Sequence, residues 1–190
     1  MDISYKIFEL KNGIRVIYLP RKDTNISCIS VFVKVGSIDE DEKTEGMSHF
    51  LEHALFKGTT KRPGPNLIAK ELDSVGAYFN AYTDKNLTSF IVKAESGSIG
   101  KGIDIISDML LNSYFNKDDF EKELKIVVEE VNRGKDNPSD WILEKIYEII
   151  YEGHPIAHSI GGTEEIITNY KIEDLKKHWK KYYIASNIVI

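Results

Sequence analysis

Strand-like alternation in this chain comes mainly in two blocks, and helical periodicity fills most of the sequence after each of them. Residues 3 to 10 and 14 to 19 are strand-like runs split by Lys11-Asn12-Gly13, and an Asn-Gly pair between such runs is a strong hairpin signal. A third strand comes next, with Ile29, Val31, Val33 and Val35 alternating against Cys28, Ser30, Phe32 and Lys34. Helices are expected at about Thr44 to Lys57 and Asn66 to Val75, ended by Gly58 and Gly76. Ala77 to Thr83 and Leu87 to Val92 form a second hairpin around Asp84-Lys85-Asn86. Further helices are expected over Ser98 to Asn112, Asp118 to Gly134, after Pro138, and over Ile172 to Tyr182. Blocks of this kind give an α+β fold, a largely antiparallel sheet with helices packed on one face.

The length of 190 residues fits one domain, and 42% hydrophobic with 29% charged residues excludes a disordered chain. A formal charge of -5 gives no electrostatic reason to expect nucleic acid or an anionic membrane as partner. No apolar run approaches the roughly 18 residues of a membrane span, and the N-terminus lacks a basic region followed by an apolar core. The expected location is therefore cytoplasmic, although an organellar targeting segment ahead of this numbering would not show. Asn187 to Ile190 reads as a strand barely begun, so residues 1–190 are expected to be a single N-terminal domain of a longer chain. Cys28 has no intrachain partner and is expected to be a buried small hydrophobe. Asp39 to Glu42 reads as a solvated acidic loop, Trp141 and Trp179 as core residues, His154 and His158 as structural, and His178 as a surface residue.

Chemistry concentrates in His49-Phe50-Leu51-Glu52-His53, inside the first expected helix. Residues four apart share a helix face, so both imidazoles point together, with Glu52 beside them in the inverzincin order H-x-x-E-H. Neutral imidazoles aimed at one point suit Zn²⁺. A catalytic site needs a third protein ligand and leaves one position to water. The helix over 118 to 134 offers Glu123, Glu129 and Glu130 beside a stripe of Phe120, Leu124, Val127, Val128 and Val131. Glu130 and Glu123, seven apart, border that stripe, whereas Glu129 points away among Lys122, Lys125 and Arg133. Glu130 is the better-placed ligand, and Glu123 could hydrogen-bond a ligating histidine.

These residues resemble the insulinase, pitrilysin and mitochondrial processing peptidase family of zinc metallopeptidases. The resemblance runs from Leu10-Lys11-Asn12-Gly13 through Gly46-Met47-Ser48-His49-Phe50-Leu51-Glu52-His53, Asn80-Ala81-Tyr82-Thr83 and Glu129-Glu130 to Gly162-Thr163-Glu164. It implies zinc on His49, His53 and Glu130, the last standing 77 residues after His53 as in the family. It also implies Glu52 as the base that activates water, Glu123 in a supporting catalytic role, and an edge strand carrying Asn80 and Ala81 that binds peptide substrate by β-augmentation. Family members are usually at least twice this long and close a chamber from two halves, the opposite half supplying an arginine and a tyrosine to the reaction. The resemblance thus implies a zinc endopeptidase of peptides or presequences with a second half-chamber domain or subunit as partner. The 190-residue piece alone is expected to bind zinc and cleave peptides poorly. The alternative is a non-catalytic peptide-binding or structural half, against which the intact His49, Glu52 and His53 speak.

Overall fold

A computed structural model describes residues 4–190; Ile3, which opens the first expected strand, lies outside the described residues. Strands β1 (Lys6–Glu9) and β2 (Arg15–Tyr18) pair antiparallel, with Lys6 opposite Tyr18 and Glu9 opposite Arg15. Strand β3 (Ile26–Val33) is followed by helices α1 (Met47–Leu55) and α2 (Pro65–Asp73), then by the hairpin of β4 (Tyr78–Thr83) and β5 (Thr88–Glu95). Helices α3 (Ile99–Asn112), α4 (Lys117–Asp136), α5 (Pro138–Ile150), α6 (Glu164–Ile167) and α7 (Ile172–Tyr182) lead to β6 (Ile188–Val189). The four-residue helix α6, started by the Thr163 side chain, has too little periodicity to be read from sequence.

Among the described residues six strands lie in the order β1-β2-β6-β3-β5-β4, with β2 and β6 the one parallel pair. The run expected at Asn187 to Ile190 is thus an interior strand. Its short β6 holds Phe32 of β3 opposite Val189 on one side and Arg15 of β2 opposite Val189 on the other. Sheet alternation places Val31, Phe90 and Ala81 in register on one face, and Ile29, Val92 and Phe79 one pleat along. Helices α1 and α3 cover that face with Leu51, Leu55, Ile105 and Met109, and the core forms there.

Cys28 departs from its expected burial. It alternates with Ile29 and so points to the uncovered face of β3, where it is exposed. Trp141 departs too: α5 buries none of its residues, and the indole is exposed with the Lys145 ammonium over it. Trp179 is partly buried against the core and donates from its ring N–H to the Leu110 carbonyl. His154 and His158 are structural as expected, the first accepting from Ile156 N and the second lying 3.4 Å from the Ser37 carbonyl. No helix among the described residues is long and apolar enough to cross a membrane.

Candidate metal centre

Helix α1 is fixed at its start by contacts that the sequence pattern conceals. Its first residues leave backbone N–H groups without helical partners, and no side chain at Gly46 caps them. The Glu40 carboxylate does so instead, accepting from Gly46 N and Ser48 N at 2.7 Å each. Glu40 is therefore buried and not part of a solvated loop, because a helix N-terminus attracts an anion. Gly46 (φ 89°) and Gly162 (φ 77°) pack backbone to backbone: a Cβ on Gly162 would stand 2.4 Å from the Glu45 carbonyl oxygen. His178 also departs from expectation. It shares the buried stripe of α7 with Leu175, and its Nε2 lies 3.0 Å from Ser48 Oγ, so the ring packs on the start of α1 and not in solvent.

With α1 anchored, Phe50, Leu51, Ala54 and Leu55 turn inward, and His49 and His53 emerge together at the rim facing α4. Their rings meet edge to face with centroids 4.6 Å apart. Glu130 reaches across from α4: its Oε1 lies 3.7 Å from His49 Nε2 and its Oε2 3.4 Å from His53 Nε2. One ligand atom from each of the three residues falls within 4.8 Å of the others. Bonds of about 2.1 Å at tetrahedral angles put neighbouring ligand atoms roughly 3.4 Å apart, so this nitrogen, nitrogen, oxygen set could close on a zinc ion with a small shift of the side chains. Glu129 stands exposed among the solvent-facing residues of α4, outside the cluster.

Behind the cluster, His53 Nδ1 lies 2.9 Å from Glu123 Oε1, and the Lys57 ammonium lies 2.6 Å from Glu123 Oε2. Glu123 is almost wholly buried, and although burial works against its charge, the hydrogen bonds from His53 and Lys57 hold its pKa below the usual value. Burial also works against charge on His53, but the Glu123 hydrogen bond and the neighbouring carboxylates outweigh it and raise the pKa. His49 Nδ1 has no such partner among the described residues. Burial, with the His53 charge, pushes the His49 pKa down to about 4, which keeps the imidazole neutral and its lone pair available.

Glu52 is buried on the adjoining part of α1, where Thr83 at the end of β4 donates to its Oε2 at 2.7 Å. Burial raises the Glu52 carboxyl pKa despite that hydrogen bond. Thr83 also links α1 to the strand that carries Asn80 and Ala81. That strand, β4, is an edge of the sheet: Asn80 pairs with Ile91 and is exposed, while Ala81 pairs with Phe90 and packs on the core. Beside His49 and Glu130 opens a cleft of about 400 Å³ whose lining includes Arg133, Asp140 and Glu144. Sequence reasoning missed Lys57, Thr83 and Glu40. Of these only Lys57 left a signal, as the next residue four along after His49 and His53.

A sheet backed by helices, with two histidines from one helix and a glutamate from another converging at its rim, defines the architecture of a zinc-protease-like domain. The sequence pattern of the insulinase peptidases, family M16, matches residues 15–164, and the chain belongs to that family. It is 34% identical over all 190 residues to an "uncharacterized zinc protease" of Rickettsia felis, of which it covers 46%. It is 32% identical over 181 residues, 95% of the chain, to the mitochondrial-processing peptidase subunit beta of Caenorhabditis elegans, covering 39% of that protein. Among solved structures, a protease from Helicobacter pylori superposes with a TM-score of 0.94 at 26% identity, over 98% of this chain and 45% of that one. The chain thus spans less than half the length of each of these proteins.

Proposed function

We propose that the chain is the zinc-binding domain of an endopeptidase, with His49 Nε2, His53 Nε2 and the Glu130 carboxylate as ligands. The convergence of those three groups within 4.8 Å carries the reading. Bound there, zinc supplies Lewis-acid polarisation of a carbonyl and a lowered pKa for water. The remaining work falls to the chain itself. Glu52 is the general base: Thr83 occupies and orients its Oε2, which leaves Oε1 to take the proton of the attacking water and return it to the leaving amine. Glu123 fixes the orientation of the His53 ring through Nδ1. The β4 edge, tied to Glu52 through Thr83, pairs with an extended peptide through main-chain groups around Asn80 and Ala81, so affinity depends little on peptide sequence. The cleft beside His49 adds a preference. With Glu130 committed to the ion, Asp140 and Glu144 still outnumber Arg133 along the cleft away from it, which favours a basic side chain of the peptide on that wall.

The chain is further proposed to be the N-terminal domain of a larger peptidase, its chamber completed by a second domain or subunit. The test is elemental analysis beside a peptide-cleavage assay, with the chain alone and joined to such a second half. Wild type and Glu52→Gln should hold one zinc, His49→Ala none, and only wild type should cleave. A non-catalytic half predicts no cleavage in any partnered form, and a Glu52→Gln variant cutting at full rate removes the proposed base.

A further inference from the structure

His49, His53 and Lys57 are spaced by four, so the third continues the line of the two imidazoles although α1 ends at Leu55. Opposite them α4 runs the other way. Glu130 faces His49 and His53, and Glu123, two turns earlier, lies between His53 and Lys57. Both Glu123 oxygens are thereby committed, Oε1 to His53 Nδ1 at 2.9 Å and Oε2 to Lys57 Nζ at 2.6 Å. Glu123 is 2% exposed, and Lys57 is the one lysine or arginine that pairs with it among the described residues. A carboxylate so buried is costly without a cation beside it.

Lys57 is itself held in place. The chain turns at Gly58, where φ is 133° and a Cβ would stand 2.6 Å from Gly64 N. The loop beyond is locked by Arg62, buried between Asp104, Asp108 and Glu71. A flexible surface lysine pairs weakly, whereas one leaving a rigid turn and reaching a buried anion holds a defined geometry.

We infer that Lys57 is a positioning residue of the metal centre: by neutralising Glu123 and fixing its second oxygen, it holds the carboxylate against His53 Nδ1 and so aims His53 Nε2 at the ion. The inference deepens the proposed zinc reading and rests on it. Removing the ammonium frees the second Glu123 oxygen and lets the carboxylate turn away from His53 Nδ1, which breaks its hold on the ring. Outer partners of ligating histidines are worth about 10-fold to 100-fold in metal affinity.

The test measures zinc affinity by chelator competition, with the visible spectrum of the Co²⁺-substituted chain as a second readout and circular dichroism as the check on folding. Lys57→Met should lower zinc affinity by about tenfold or more and alter the Co²⁺ spectrum. Lys57→Arg should restore most of the loss, and Lys61→Met, in the same loop but paired with exposed Asp104, should change nothing. In a Glu123→Gln background, Lys57→Met should add little, since the path it acts through is gone. Lys57→Gln is measured the same way if Lys57→Met does not fold. A folded Lys57→Met or Lys57→Gln chain with wild-type zinc affinity overturns the inference and leaves the centre standing, as does an undiminished loss in the Glu123→Gln background. A wild-type chain that takes no zinc overturns the centre and the inference together.

Discussion

Glu40 Oε1 accepts a 2.7 Å hydrogen bond from Ser48 N, tying a carboxylate in the loop after β3 to the first turn of the helix that carries both histidines. Its other oxygen holds Gly46 N, and the side chain is buried. Burial pushes its pKa from 4.5 up to about 7, more than the N–H groups that favour the anion can offset. The unfolded chain binds this proton less tightly than the native one. The stability contributed is therefore fully present below about pH 4.5 and lost as pH rises through about 7. Glu40→Gln is neutral throughout. In EDTA, urea melts at pH 8 and pH 5 should show the wild type gaining about 2 to 3 kcal/mol on the variant at the lower pH. A gap that does not move with pH contradicts this.

His178, on the other side of Ser48, has the opposite slope. Burial, followed by the Lys181 charge, lowers its pKa from 6.5 to about 4, so the native ring is neutral where the unfolded one is charged. That stability is complete above pH 6.5 and lost as pH falls toward 4. The advantage of wild type over His178→Gln should shrink by about 2 kcal/mol between pH 7.5 and pH 5. A growing advantage on acidification would mean that the ring is charged in the native state.

This pair also marks the limit of what the sequence discloses. The helix spacing of His49 and His53, and the seven-residue step from Glu123 to Glu130, are local periodicities, and the structure brings those residues together from α1 and α4. Elements with eight or more periodic residues, such as α3 and α7, are legible for the same reason. Glu40 and His178 escape such reasoning because their environment comes from partners 8 and 130 residues away along the chain. Local charge density makes both look solvated. His178 does leave a trace, since 175, 178, 179 and 182 follow a helical stripe that the surrounding lysines mask. Cys28 carries the reverse error: an apolar neighbourhood suggests burial, yet the strand period assigns it to the uncovered face.

The Arg62 cluster sets the rigidity of the loop after α1. The guanidinium meets Asp108 at 2.6 Å and Glu71 at 3.2 Å, with Thr59 Oγ1 also donating to Asp108. Removing only the cation leaves Asp108 buried and uncompensated. Arg62→Met should therefore cost roughly 3 to 5 kcal/mol in urea unfolding. Arg62→Met combined with Asp108→Asn should cost clearly less than the two single losses added together. Strict additivity would show that the groups do not act as a unit.

The cleft beside the histidines should discriminate between peptides by charge. Asp140 is exposed on the first turn of α5, and Glu144, one turn on, is half-buried and accepts from Ser159 Oγ at 2.9 Å. Both carboxylates line the same wall, so their fields add at the cleft, whereas Arg133 opposes them from α4. Each charge is partly screened by water, which limits the pair to on the order of 1 kcal/mol, or about fivefold. Zinc-loaded Glu52→Gln chain, which should bind without cutting, is titrated calorimetrically with two peptides that differ only in arginine against citrulline. The arginine peptide should bind about fivefold tighter in low salt, and the preference should fade as salt rises. In Asp140→Asn with Glu144→Gln it should vanish. A preference that survives both substitutions, or that ignores salt, places selection for the basic residue elsewhere than on this wall of α5.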